Sequence, residues 1–232
     1  MNRITERFLE LFKQLEDIAE SKFPYRREFA VNNFINHPQN RSIRRELDYC
    51  REVRNFLVHT PKLGDEFSVV PSEKMVILLE SLIHKANHPK LILDYAVKTA
   101  NIFSVSLQDF VANVMREMRE RGFSHIPVIK SGVVTGVFSE NVIFQYILDH
   151  GMHELGDEPL SFFSDYLSLS NKSSVSYRFA SRGTYFYEAE DLFEEASKHH
   201  ERIAMIFITE TGNENEKLLG IITPWDILAN MD

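Results

Sequence analysis

Two short stretches of the chain bring together side chains that handle phosphates and hydroxyl groups. The first is Arg54-Asn55-Phe56-Leu57-Val58-His59. A guanidinium offers a planar fork of donors to a phosphate, and an imidazole gains or loses a proton near neutral pH. Asn55 and His59, four apart, share one face of a helix. Such a set can act as general acid or base on a phosphodiester, or it can hydrogen-bond across an interface with His59 placed well at a helix C-terminus. The second stretch is Gly220-Ile221-Ile222-Thr223-Pro224-Trp225-Asp226. A hydroxyl and a carboxylate three apart can share hydrogen bonds with a polar ligand. The same residues also spell a helix start, with Thr223 as N-cap, Pro224 at the first position and Asp226 in the first turn.

The elements that must carry these groups follow from periodicity. Ile4, Phe8, Leu11, Leu15 and Ile18 recur at helical spacing, which predicts a helix over 3–20. A second helical stretch is expected at 25–36, a third at 42–59 up to Thr60-Pro61, and a fourth from Pro71-Ser72-Glu73 to about Ala86. Residues 1–90 thus read as an all-α bundle of four antiparallel helices. On the third helix Leu47, Cys50, Val53 and Leu57 share a face, and Arg54 falls among them. A guanidinium there needs a counter-charge or a partner surface. The matching helix of a twin chain is the expected partner.

From residue 91 the grammar changes to a repeat. A helix from Leu107 to Arg121, the strand HIPVI, a turn at Lys130-Ser131-Gly132, the strand VVTGVF and a helix SENVIFQYILDHG make one copy. The segments RGTYFYEAEDLFEEASKHH, RIAMIFITE, TGNENE, LLGIIT and PWDILANM repeat the order. The stretch DEPLSFFSDYLSLSNKSS within 151–180 has no assigned structure.

This repeat resembles a tandem pair of CBS (cystathionine-β-synthase) domains, through GFSHIPVIKSGVVTGVFS in one copy and LLGIITPWDIL in the other. The resemblance implies a βαββα repeat pair at 91–232, which with the four-helix bundle at 1–90 makes a two-domain α+β chain. The copies would lie at about 91–150 and 181–232, with a connecting segment at 151–180. It implies a cleft for an adenine nucleotide (AMP, ADP or ATP), formed by Thr223 and Asp226 of one copy with Ile102, Phe103, Ser104, Ser124 and His125 of the other. His125 would stand where members place a basic residue against the ligand phosphate; as a plain strand residue it would be half exposed. The first copy departs from the pattern. Val142 stands where the acid belongs, and Val accepts no hydrogen bond. Unless Asn141 substitutes for the acid through a shifted helix start, that copy's cleft is altered or empty, with Arg182 and Arg202 near it, and one competent site per chain is expected.

The stretch around Arg54 resembles the HEPN family (higher eukaryotes and prokaryotes nucleotide-binding), whose motif is Arg, a polar residue, three others and His. That resemblance covers residues 1–90. It implies either a dimerising module or a metal-independent ribonuclease in which His59 moves the proton while Arg54 and Asn55 hold the phosphate.

Composition bounds the rest. A 44% apolar content fills a core, and one cysteine, Cys50, leaves no disulfide framework or multi-cysteine metal site. No apolar run reaches the length of a membrane span, so a cytoplasmic protein is expected. Residues 1–90 hold 15 basic and 13 acidic side chains, net +2, whereas 91–232 hold 11 and 21, net −10. The eight basic residues among 22–54 could attract RNA or another polyanion. No phosphate loop, metal cluster or placed nucleophile is visible in 91–232. The expectation is therefore a non-enzymatic, homodimeric adenine-nucleotide sensor needing no cofactor or metal. The alternatives are a nucleotide-gated ribonuclease and a scaffold whose clefts are filled.

Overall fold

A computed structural model describes residues 3–25, 27–61, 64, 67–151, 158–169 and 175–230. The chain divides into two compact units with the boundary between Lys90 and Leu91.

The first unit is helical. α1 (Arg3–Lys22) buries Phe8, Leu11, Phe12, Leu15 and Ala19, the face that its periodicity marks. It packs with α2 (Ala30–Ile35), α3 (Arg44–His59) and α4 (Glu73–Asn87) around one apolar cluster. Ser72 caps α4, its side chain accepting from the Met75 amide at 3.3 Å. Thr60, ahead of Pro61, is extended and ends α3. The second helical stretch is shorter than its periodicity suggests. Only Ala30–Ile35 is α-helical, with 3₁₀ turns at Arg27–Phe29 and Pro38–Ile43. Buried Asn40 donates to the Phe34 carbonyl at 2.7 Å, which satisfies the end of α2 and holds the chain in its turn.

The second unit holds the repeat. A short helix, α5 (Ile92–Tyr95), leads into β1 (Val97–Lys98). Then come α6 (Val111–Arg121), β2 (His125–Lys130), β3 (Val133–Ser139) and α7 (Glu140–His150). The turn between β2 and β3 consists of Ser131 and Gly132, both at positive φ, the conformation that a two-residue hairpin turn needs. The second copy contributes β4 (Val175–Ser181), α8 (Phe186–Lys198), β5 (Arg202–Thr209), β6 (Gly220–Ile222) and α9 (Pro224–Asn230).

The two copies are interlocked. The sheet of the second runs β1-β6-β5-β4, so its edge strand comes from the chain that leads into the first copy. In the first copy, Val105 bridges β2 in parallel, and the Val137 amide of β3 donates to the Leu167 carbonyl, from the chain that leads into the second. Each copy thus lends its leading segment to the other's sheet. Two glycines at matching places permit this. A Cβ on Gly136 would lie 2.5 Å from the Leu167 carbonyl oxygen, and one on Gly220 3.1 Å from that of Val97. Val134, Val137, Met205, Phe207, Leu218 and Ile221 form the apolar layer that both sheets share. Within 151–180, the described residues include a 3₁₀ stretch, Leu160–Tyr166, and most of β4.

Candidate functional site

A cleft of about 430 Å³ opens in the second unit. One wall comes from the second copy: Ala204 and Met205 of β5, Ile221 of β6, and Thr223, Pro224, Trp225 and Asp226 at the start of α9. The other comes from the first: Val97, Asn101, Ile102 and Phe103 ahead of α6, then Gly122, Phe123, Ser124, His125 and Pro127 around the start of β2. Six of the seven residues expected to bind ligand line this cleft. Ser104 does not; it is exposed.

Local chemistry fixes the polar groups. Oδ2 of Asp226 accepts from the Thr223 amide and from Thr223 Oγ1, both at 2.7 Å. The carboxylate therefore closes the first turn of α9 by satisfying the amide ahead of Pro224, which itself brings no N–H. Capping and facing the cleft are compatible, because capping uses one of the two carboxylate oxygens. His125 begins β2 and is half buried. Its Nδ1 lies 2.8 Å from Ser124 Oγ, and its ring meets the edge of Tyr177 at 6.2 Å. Burial pushes the imidazole below its ordinary value near 6.5, against a smaller opposing pull from Glu140. Burial likewise drives the Tyr177 phenol up to about 12. At the mouth, Phe103 and Phe123 lie 6.2 Å apart in tilted array. Arg121 stands over the ring of Phe103, 4.8 Å from its centre, and pairs with Glu117 at 2.7 Å.

Sequence reasoning missed Asn101, Phe123 and Trp225. Trp225 is the chain's one tryptophan and is 78% exposed in the first turn of α9. A tryptophan inside the Thr-x-x-Asp, at a helix start, was a usable signal.

The matching helix start in the first copy has a different character. Ser139 makes no side-chain cap, and Val142 is buried in that copy's core. At the acid's place this copy therefore has an apolar side chain, which accepts no hydrogen bond. Arg202 and Arg182 are exposed, the latter paired with Glu210.

In the helical unit, Arg54 finds its counter-charge within its own chain. Nη2 lies 2.6 Å from Glu16 Oε1 of α1, the guanidinium stands 5.7 Å from the Phe12 ring centre, and Nη1 donates to Asn55 Oδ1 at 3.4 Å. Of the alternatives for Arg54 the structure thus shows the counter-charge, within the chain, where the matching helix of a twin chain was expected. The contact spans 38 residues, which no local pattern displays. His59 is exposed at the end of α3, and at about 100° per residue it points roughly 140° away from Arg54. Asn55, half buried, lies on the His59 side. Arg54 and His59 are thus not gathered toward one phosphate within a single chain.

Among the described residues there is no group of three or more His, Cys, Asp or Glu placed to hold a metal. No helix among them is long and apolar enough to cross a membrane.

Residues 94–149 match the model of the CBS domain. Several solved structures are similar to the chain. A hemolysin-like CBS-domain protein of Oenococcus oeni shares 16% identity, with 61% of this chain and 89% of that one covered and a TM-score of 0.41. CBSX2 in complex with AMP also shares 16%, with 60% and 94% covered and a TM-score of 0.42. Hypoxic Response Protein I with two coordinated zinc ions shares 13%, with 62% and 100% covered and a TM-score of 0.43. No curated protein sequence matches the chain.

Proposed function

We propose that residues 91–232 are a tandem CBS pair which binds an adenosine-containing ligand in the cleft beside Asp226. The helical unit, read as a HEPN-like four-helix bundle, would be the dimerising or output module of a regulatory protein. The observation that carries the reading is convergence. Thr223 and Asp226 come from one copy, and Phe103, Ser124 and His125 from the other, yet all five line one cleft with aromatic and apolar walls. Such a mixture suits a flat base, with a carboxylate oxygen left over for ribose hydroxyls. A ligand seated between the copies would couple to their packing and so report its presence to the rest of the chain.

Trp225 supplies the assay. Because it is the sole tryptophan and lines the cleft, occupancy should change its emission directly. Titration with adenosine compounds should give saturable quenching or a blue shift, together with a concentration-dependent rise in melting temperature. Asp226→Asn keeps an acceptor for the Thr223 amide but removes the charge; it should stay folded and weaken binding at least tenfold. No spectral response and no melting shift with any adenosine compound would sink the proposal.

The ribonuclease reading is weakened by the Arg54–Glu16 pair, which occupies the cation that would hold the phosphate.

A further inference from the structure

The charge inventory of the cleft narrows its ligand. Among the described residues no Lys or Arg lines it, and the carboxylate of Asp226 is the one formal charge on its walls at neutral pH if His125 is uncharged. The one guanidinium placed over a lining ring, that of Arg121, is tied to Glu117. The Thr223 amide at the start of α9 is also spent, because it donates to Asp226. The lining keeps neutral donors, such as the Asn101 amide and the Ser124 hydroxyl, but no cation, and a dianion brought against the Asp226 carboxylate in a largely apolar cleft loses solvation with no opposite charge to offset it. The aromatic faces at the mouth work in the other direction, since the rings of Trp225 and Phe123 attract positive charge.

We infer that this cleft selects an adenosine whose 5′ carbon bears no phosphate, either neutral or positively charged there, over AMP, ADP or ATP. The inference rests on the adenosine reading above and assigns its 5′ chemistry. His125 fits this role without being a phosphate ligand. Half buried, beside Tyr177 and bonded to Ser124, its ring can accept or donate one hydrogen bond to a 5′ hydroxyl or amine. Burial favours the uncharged form. The surrounding unit, with its net −10, further repels polyanions in bulk.

A charge series on one scaffold tests it. 5′-Amino-5′-deoxyadenosine, adenosine, AMP and ATP differ chiefly in the charge at the 5′ end. With the full chain at low ionic strength, Trp225 emission should rank the amine at least as tight as adenosine, and adenosine at least tenfold tighter than AMP or ATP. AMP binding as tightly as adenosine would overturn the inference and leave the adenosine reading standing. Failure of all four to bind would remove both. Ser124→Lys adds an ammonium to the wall without touching the α9 turn. It should move the ratio of AMP to adenosine affinity at least fivefold toward AMP, and a ratio that stays put would show that charge does not set the preference.

Discussion

At the scale of single residues, Arg54 shows what a sequence pattern can locate and what it cannot. The wheel placed a cation among Leu47, Cys50 and Leu57, so the need for a partner was legible; the identity of Glu16 was not, because it lies on another helix. Both side chains are more than two-thirds shielded from solvent. Removing only the carboxylate therefore strands a guanidinium against Phe12. Glu16→Ala should cost about 1–3 kcal/mol in urea unfolding, and Glu16→Leu combined with Arg54→Met should recover most of it. A parent-like midpoint for Glu16→Ala would show that the pair contributes nothing. His125 gives a second residue-scale expectation. Its folded pKa lies below the ordinary 6.5, so below that pH the unfolded chain binds more protons and stability falls on acidification. The Glu140 carboxylate works against this, while Ser124 and the un-ionised Tyr177 leave the charge balance unchanged. Between about pH 7 and 5 the melting temperature of His125→Gln should fall less than that of the parent. Equal slopes would mean that this imidazole is not the group responsible.

At the scale of elements, legibility followed how local the cause was. The long helices announced themselves because a repeating apolar face is a property of consecutive residues; α1 and α4 begin and end close to where spacing and caps put them. The hairpin of β2 and β3 was equally plain from its Ser-Gly turn. β4 was missed although VSYRFAS alternates, with Val175, Tyr177 and Phe179 apolar against Ser176 and Arg178: the polar run ahead of it hid where the pattern starts, and the segment is held as a strand by β5 beside it. The candidate site divided in the same way. Its Thr-x-x-Asp was visible in seven residues, whereas the positions of Asn101 and Phe123 on the opposite wall depend on how the copies pack. Glycine is where local and distant causes meet. At Gly136 a Cβ would strike a backbone carbonyl, which cannot swing aside as a side chain could. Gly136→Ala should cost about 2–3 kcal/mol and Gly220→Ala, with its looser fit, about 1 kcal/mol. The opposite order in denaturant midpoints would show that the Leu167 crossing is not the tighter of the two.

At the scale of the whole molecule, the exchange of leading segments makes the repeat one cooperative body. The β1 edge pairs with β6 through Val97 and Lys98, and Thr99 donates hydrogen bonds from its amide to the Leu219 carbonyl at 3.1 Å and from its hydroxyl to the Leu218 carbonyl at 2.7 Å. Leu167 returns the favour to β3, and the apolar layer around Phe207 and Val137 belongs to both sheets. Neither copy can open without stripping an edge from the other, so damage to one should appear in both. Native-state hydrogen exchange makes the consequence measurable. In Gly136→Ala, whose lesion lies in the first copy, the amides of Phe207 and Ile222 in the second should lose protection by the same free energy as those of β2. Protection retained in β5 and β6 while β2 and β3 exchange freely would mean that the copies open independently. In that case a ligand at Asp226 would have no route, through these shared edges, by which to stiffen the first copy.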